Sequence, residues 1–251
     1  PLDITETTGS VNPVYPENGI KYWQGKLYFA TTAAAPDISY LYVKNASTGE
    51  EIWRKQLADH GGQAPTMWNN NVYLAERSGG RILCFNAETG DACENFPVIL
   101  GASMRTIPII QNGTIYIGTH AGKFCSIDAV SGVINWDFTT DWYIVAPEEI
   151  VSTASIWEDK VYFGSHIGKL YGLYKETGGL VSGFPVINAG TTGPISTANG
   201  VVYTVGGYNW AVNAETGQVL WQVQPNWSYG GGVSGIYNYP SITIGNNEII
   251  A

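Results

Sequence analysis

The chain has 251 residues, of which 13% are charged and 13% aromatic, and its formal net charge is −9. This charge argues against nucleic acid and against an anionic membrane surface as partners. No apolar run approaches the ~18 residues that a membrane-spanning helix needs, so no transmembrane segment is predicted.

One short phrase, ending in Thr-Gly or Ser-Gly, recurs six times along the chain. The glycines that end it lie 40, 41, 42, 46 and 39 residues apart, at Gly9, Gly49, Gly90, Gly132, Gly178 and Gly217. A period of about 40 residues is typical of supersecondary units that bury their apolar faces on one another. Short β-branched and aromatic runs between turn residues predict strands in each unit, and no helical period is present. We therefore expect four strands, A to D, in every unit.

The predicted elements begin with half a unit, because residues 1–11 read as strand C, a turn and strand D. The first full unit follows and ends at Trp53, as two later units end at Trp136 and Trp221. These tryptophans are predicted to pack against the neighbouring unit, because one sheet buries its faces only on the next. No ligand role is expected for them.

Two cysteines flank the turn of the second unit. Pairing of strands C and D about that turn places Cys84 nearly opposite Cys93, so a cross-strand disulfide is expected. A disulfide would place the protein outside the cytosol, in the periplasm, at the cell surface or in secreted form. Cys125, on strand C of the third unit, is expected to be a buried thiol outside this pair.

Candidate binding residues lie in the D-to-A and B-to-C loops, which share one face of a radial array of such units. Arg105 enters strand A of the third unit and is a candidate for an anionic group, with an ordinary solvated arginine as the alternative. His60 lies in a D-to-A loop, whereas His120 and His166 occupy equivalent B-to-C loops. We expect no metal there, because neighbouring B-to-C loops are ~10 Å or more apart and each metal–nitrogen bond is ~2 Å.

Two D-to-A connections are rich in aromatic residues. Residues 139–150 are an insertion that accounts for the 46-residue spacing, and residues 224–239 are rich in glycine. Their candidate ligand-binding residues are Asp141, Trp142, Tyr143, Trp227, Tyr229 and Tyr237. Such aromatics suit stacking on a sugar or contact with apolar side chains of a partner, and the alternative is that they cover strand ends.

The two ends of the chain complement each other. Residues 240–251 read as strands A and B, and counting from Gly217 through the last residue to Gly9 gives 43 residues, close to the other spacings. This predicts one domain, 1–251, an all-β six-bladed propeller of four-stranded antiparallel blades. The N- and C-terminal halves of one blade would pair to close the ring. A fragment of a longer seven- or eight-bladed chain is the alternative.

The pattern Val-Tyr-x-Gly-Ser-x-x-Gly-Lys-Leu-Tyr-x-Leu-x-x-Glu-Thr-Gly runs from Val161 to Gly178, and three units add a Trp four residues after the Gly. This pattern resembles the pyrroloquinoline-quinone-type repeat over essentially the whole chain. That repeat occurs in quinoprotein dehydrogenases and in many non-enzymatic periplasmic propellers, including an outer-membrane assembly lipoprotein. The resemblance implies a β-propeller and leaves two classes of activity open.

The family enzymes usually hold their quinone between a Trp and a disulfide of adjacent cysteines, and they bind calcium. This chain has no adjacent cysteines, and Gly-x-Ser-x-Gly is absent. We therefore expect a non-catalytic extracytoplasmic binding propeller, without a cofactor, that recognises a protein segment or a glycan at the loop face. The alternatives are a quinoprotein oxidoreductase, or a fragment of one, with pyrroloquinoline quinone and calcium, and a structural component of a cell-surface array.

Overall fold

The structure is a computed structural model that describes residues 15–16, 19–32, 38–57, 61–190, 193, 195–205, 208–224, 243–245 and 248–250. Strands and turns make up the regular structure of these residues, which include no α-helix, as predicted. It follows that the described part of the chain offers no helix for crossing a membrane.

The first half of the chain forms two antiparallel sheets, of which the first has five strands, one more than predicted, and the second has the predicted four. The first sheet has the order β1-β3-β4-β5, with β2 also on β3, and contains β1 (Tyr15–Pro16), β2 (Lys21–Trp23), β3 (Lys26–Thr32), β4 (Tyr40–Asn45) and β5 (Glu51–Gln56). The second follows sequence order and contains β6 (Thr66–Trp68), β7 (Asn71–Ala75), β8 (Arg81–Asn86) and β9 (Val98–Ile99).

The third sheet and a short hairpin come next. The sheet follows sequence order and contains β10 (Ile109–Gln111), β11 (Thr114–Gly118), β12 (Lys123–Asp128) and β13 (Ile134–Thr139). The hairpin consists of β14 (Trp142–Tyr143) and β15 (Ala146–Pro147).

The remaining strands form three further sheets. The fourth contains β16 (Ser155–Trp157), β17 (Lys160–Gly164) and β18 (Leu170–Tyr174). The fifth contains β19 (Ser196–Ala198), β20 (Val201–Thr204), β21 (Asn209–Asn213) and β22 (Val219–Val223). The last pair is β23 (Thr243–Gly245) and β24 (Glu248–Ile250), which lie where strands A and B are predicted. The complementary half-blade at 1–11 lies outside the described residues.

The fourth unit departs from the predicted four strands. Its strand D is replaced by two isolated bridges, Leu173 to Leu180 and Leu170 to Val186. The segment between the bridges contains Gly183 and Pro185, and proline has no N–H for a ladder. Regular pairing is therefore interrupted there.

The described residues fall into two compact units, one within 1–120 and 125–135 and the other within 121–124 and 136–251. The first has two apolar clusters, one around Tyr28, Leu41 and Leu74 and one around Tyr73 and Ile115. The second has a cluster around Tyr162 and residues packed against it. Strands B and C carry most of these buried residues, whereas β5 and β13 alternate exposed and half-buried residues and β22 is exposed throughout.

The repeated turn has the predicted chemistry. Asn45 Oδ1 accepts the N–H groups of Ser47 and Thr48 at 2.8 and 3.1 Å. Gly49 then takes a φ of +76°, a region that glycine enters without steric cost. The equivalent glycines have φ values between +68° and +73°, at Gly90, Gly132, Gly178 and Gly217.

Two of the strand-D tryptophans dock on the turn of the next unit, as predicted. Trp53 Nε1 donates to the Ala87 carbonyl at 3.3 Å, and Trp136 Nε1 donates to the Lys175 carbonyl at 2.8 Å. A Cβ on Gly178 would lie 2.7 Å from the Trp136 ring, so the indole rests directly on the glycine backbone. Trp221 is 39% exposed, and its described ring neighbour is Tyr203, in its own sheet.

The second and fourth units use another device that the repeat analysis missed. Both carry Phe-Pro-Val-Ile after the turn, at 96–99 and 184–187. Phe184 and Val186, of the fourth repeat, are buried in the core of the second compact unit. Val98, of the second repeat, is buried in the core of the first compact unit. The apolar Phe-Pro-Val segment therefore takes the place of the tryptophan in alternate repeats.

The predicted disulfide is present. Cys84 and Cys93 are joined, with their Cα atoms 5.3 Å apart. The bond spans nine positions, and closing a loop this short stabilises a fold by about 2–3 kcal/mol in the chain-entropy account. Cys125 is buried in the same apolar cluster as Cys84, as expected.

Candidate functional site

The insertion in the third repeat forms the hairpin β14–β15. Its register pairs Trp142 with Pro147 and Tyr143 with Ala146, which leaves a two-residue turn of Ile144 and Val145. The Val145 N–H donates to the Tyr143 carbonyl at 2.7 Å and closes the turn around Ile144. The segment with the largest departure from the repeat spacing therefore has defined structure of its own.

Four consecutive apolar side chains lie exposed at the end of this hairpin. Trp142 is 70% exposed, Tyr143 51%, Ile144 82% and Val145 80%. We call these four residues the docking tip. A run of exposed apolar residues is costly to solubility and marks an interaction site when it is retained. These exposed fractions disagree with the alternative expectation, in which the aromatic residues of this loop cover strand ends.

The turn of the hairpin is strained. Ile144 has a φ of +57°, although β-branched residues avoid this region and glycine is usual at this place in a two-residue hairpin. Such a backbone costs of order 1–3 kcal/mol and persists where the surroundings hold it. The strained backbone places an aliphatic side chain at a turn position where a relaxed hairpin would have glycine.

The base of the hairpin is held by four residues that we call the clamp: Asp141, Glu148, Lys169 and Tyr171. Lys169 Nζ lies 2.8 Å from Asp141 Oδ2 and 2.5 Å from Glu148 Oε1. The Tyr171 hydroxyl donates to Glu148 Oε2 at 3.1 Å and accepts from the Asp141 N–H at 3.2 Å. Lys169, which precedes β18, therefore bridges both legs of the hairpin, and so does Tyr171, which lies within β18.

Two groups of the clamp, Lys169 and Tyr171, have raised pKa values. Glu148 is fully buried. Burial lowers the pKa of Lys169, but hydrogen bonds to Asp141 and Glu148 raise it by more, so the net shift is upward. Burial and the negative charge of Glu148 raise the pKa of Tyr171. Because folding raises the Lys169 pKa, the stability that protonation of this lysine contributes is lost only as the pH rises above its ordinary value of about 10.5.

The backbone at the base is equally tight. The Glu148 N–H donates to the Asp141 carbonyl at 2.9 Å, and Thr140 Oγ1 donates to the Glu148 carbonyl at 2.7 Å. Gly122 has a φ of +73°, and a Cβ there would come within 2.5 Å of Pro147 and Thr140. Only glycine fits beneath the hairpin at this point.

The structure brings four of the predicted site residues together and separates the others. Asp141, Trp142 and Tyr143 belong to the hairpin, and the His166 ring meets the Tyr143 ring edge-on with centroids 6.3 Å apart. The His166 N–H also donates to the Glu149 carbonyl at 2.9 Å.

The remaining candidates lie elsewhere. Arg105 is exposed between two buried residues of the other compact unit, and His120 in that unit donates its N–H to the Ser103 carbonyl at 2.9 Å. His60, Trp227, Tyr229 and Tyr237 lie outside the described residues.

Among the described residues, one cluster of three carboxylates has the spacing of a metal site, and it lies at the turns of two repeats. Its members are Glu158, Asp159 and Glu215, all exposed. Lys160 Nζ lies 2.7 Å from Asp159 and 2.9 Å from Glu215, so a lysine already supplies positive charge there. The cluster is therefore accounted for as an ion-pair network.

Replacing Ile144 with Gly is expected to raise the free energy of unfolding by about 0.5–1 kcal/mol, because the strained φ is relieved and an exposed side chain is lost. Urea unfolding of the purified protein measures the change. Val145→Gly is the matched control, since Val145 has no positive φ, and it is expected to lower the free energy by a similar amount. Equal effects of the two substitutions would contradict a strained turn.

Comparisons with known proteins agree with the repeat. The model of a family described as outer membrane protein assembly factor BamB matches residues 8–93 and 39–239. An uncharacterized protein of Rickettsia prowazekii is 25% identical over 225 residues, which cover 85% of this chain and 52% of that protein. The dehydrogenase subunit of the alcohol dehydrogenase (quinone) of Gluconobacter oxydans is 32% identical over 83 residues, which cover 30% of this chain and 10% of that subunit.

Solved structures show the same fold. The crystal structure of BamB from Moraxella catarrhalis superposes with a TM-score of 0.65 at 18% identity, over 85% of this chain and 63% of that one. The quinohemoprotein alcohol dehydrogenase of Pseudomonas putida HK5 gives a TM-score of 0.69 at 16% identity, over 83% of this chain and 42% of that one.

The chain spans about half the length of the Rickettsia prowazekii relative that it matches. The family match covers most of the sequence, and the antiparallel sheets confirm the predicted β-propeller repeat. The chain therefore belongs to the pyrroloquinoline-quinone-type repeat family described as outer membrane protein assembly factor BamB.

Proposed function

We propose that this chain is a non-catalytic binding propeller that acts outside the cytoplasm, and that the docking tip is its binding element. The single observation that carries the proposal is the row of four exposed apolar side chains on a rigidly held insertion. The disulfide between Cys84 and Cys93 and the family to which the chain belongs support an extracytoplasmic location.

The chemistry of the tip favours a polypeptide partner over a glycan. A sugar needs several hydrogen-bonding side chains beside a flat aromatic platform, whereas the apex here is Ile144 and Val145. A protein cleft that buries Trp142 and one aliphatic residue would gain roughly 1.5–3 kcal/mol from each. By analogy with the outer membrane protein assembly factor whose family it shares, we place the chain in the assembly of membrane proteins.

A quinoprotein oxidoreductase is the second candidate function, because a quinohemoprotein alcohol dehydrogenase shares the fold. In that family the quinone usually lies against a disulfide of adjacent cysteines. The disulfide here joins residues nine positions apart, so this feature of a quinone site is lacking. Saturable uptake of pyrroloquinoline quinone with Ca²⁺, together with dye reduction by alcohols, would support this candidate instead.

The proposed architecture is one domain, 1–251, of six blades whose last blade pairs residues 1–11 with 240–251. The antiparallel pair β23–β24 supports it, since these strands lie where strands A and B of the shared blade are expected. Trp221 is 39% exposed and occupies the strand-D place from which Trp53 and Trp136 dock on the Gly turn of the following unit, so a sixth blade would have this side chain to cover. The turn that would follow Trp221 in a closed ring ends at Gly9.

Site-specific photo-crosslinking tests the function. With p-benzoylphenylalanine at Val145, irradiation in the cell envelope of the source organism is expected to give one defined protein adduct. Trp142→Ala in the same chain should reduce its yield at least tenfold, the effect of losing an aromatic hot spot. The same probe at Ile99, which is 70% exposed in the other compact unit, should give no such adduct. A lipid adduct, or none, would contradict a protein partner.

A further inference from the structure

A buried group of charged residues lies beneath the hairpin, although packing alone does not require charges there. Glu148 is fully buried and Lys169 is 18% exposed, so both charges have lost most of their water. Buried ion pairs contribute little net stability, and apolar replacements of the same volume are often neutral or better. A gain in stability is therefore a weak explanation of this pair, and its connections to the hairpin offer another.

The connectivity of the clamp points to that role. Lys169 contacts the side chains of Asp141 and Glu148, one on each leg of the hairpin. Tyr171 lies two positions further along, on the same face of the chain, and bonds to the same two residues through the Asp141 N–H and the Glu148 carboxylate. Both bridges therefore fix the separation and the direction of the legs, which apolar contacts would leave free to slide.

The strained turn needs such an external constraint. A two-residue hairpin with Ile144 at a φ of +57° would relax if its legs were free. Directional, charge-assisted hydrogen bonds at the base oppose that relaxation. Holding a binding loop in its bound shape raises affinity because less freedom is lost on association.

We propose that Lys169, Glu148 and Tyr171 are positioning residues, which hold the docking tip in its binding conformation without touching the partner. The inference rests on the proposed function, in which the tip binds a polypeptide. The clamp sets the affinity of the tip, and disrupting it lowers binding more than it lowers global stability.

The control is the ion pair made by the equivalent basic residue of the second repeat. Arg81 follows Gly80 as Lys169 follows Gly168, and it pairs with the fully buried Glu76 through Nε and a second nitrogen 3.0 Å from Oε1. Arg81 lies in the other compact unit and holds no inserted hairpin. Lys169→Met and Arg81→Met therefore each remove the basic partner of a fully buried glutamate, but Glu148 lies on the hairpin whereas Glu76 lies in the same loop as Arg81, five positions away.

The test compares these variants by hydrogen exchange and by the adduct yield from the probe at Val145. Lys169→Met is expected to speed exchange in peptides covering 139–150 at least tenfold and to lower the adduct yield about fivefold or more. Arg81→Met should change neither by more than about twofold. Lys169→Arg should leave the exchange rate and the adduct yield near their wild-type values, because it keeps the positive charge. If Lys169→Met does not fold, Tyr171→Phe tests the same point by removing one hydroxyl.

Unchanged exchange in residues 139–150, or faster exchange with an unchanged adduct yield, would overturn the inference. A wild-type protein that gives no adduct would instead contradict the proposed function. The exchange rates would then still show whether the clamp holds the hairpin, so the two failures are distinguishable.

Discussion

Replacing Trp136 with Ala is expected to lower the free energy of unfolding by about 3 kcal/mol, near the lower limit for deleting a packed aromatic residue. The indole rests on the Gly178 backbone and donates to the Lys175 carbonyl, so the substitution removes both contact area and a hydrogen bond. Urea unfolding measures the loss. Trp136→Phe should cost less, because it removes the hydrogen bond, worth about 1 kcal/mol, and keeps most of the ring.

The partner glycine provides the control for this docking contact. Gly178→Ala should cost more than Gly200→Ala, although the two glycines have similar φ values of +70° and +74°. A Cβ at Gly200 meets nothing within 4 Å, whereas one at Gly178 collides with the Trp136 ring. Equal losses at the two sites would show that only backbone conformation matters and that the tryptophan contact is unimportant.

Replacing Trp221 with Ala is expected to cost as much as the Trp136 substitution, about 3 kcal/mol, if the ring closes as proposed. Trp221 would then rest on Gly9 as Trp136 rests on Gly178. The measurement is again urea unfolding of the full chain, with Trp136→Ala as the reference. A loss below about 0.5 kcal/mol, which is typical of surface substitutions, would contradict the six-bladed closure.

The proposed function gains from the rigidity of its binding element. The docking tip lies on an insertion whose base is tied by ion pairs, hydrogen bonds and a close glycine contact. A loop that only covered strand ends would bury its aromatic residues, whereas Trp142 stays 70% exposed. The arrangement suits recognition of an apolar cleft, in which most of the ordering is complete before the partner arrives.

Local features were predictable from the sequence because their causes are local. In four of the five described turns an Asn or Asp side chain accepts the N–H groups of the residues two and three positions later, at Asn45, Asn86, Asp128 and Asn213, and these hydrogen bonds follow from the short spacing. The cross-strand disulfide was predictable for the same reason, since Cys84 and Cys93 flank one turn. The insertion at 139–150 was also visible, as the one long interval in an otherwise even repeat.

The clamp was not predictable in this way. Its contacts join residues 28, 30 and 23 positions apart, between the insertion and the next repeat. Lys169 and Tyr171 belong to the repeated pattern and look like scaffold, and Glu148 is one of two adjacent glutamates. The only signal was that the same insertion carries acidic residues at both of its ends, at Asp141 and Glu148.

The sequence by itself therefore determined the repeat, the all-β class, the turns and the place where one repeat is enlarged, because period and turn chemistry act within a few residues. Only the tertiary structure decided that the enlarged loop is a hairpin with an exposed apolar end and a buried ionic base. Burial of Glu148 and exposure of Trp142 depend on which distant segments pack beneath the loop. Such packing is a property of the folded chain and is not encoded by any one stretch of it.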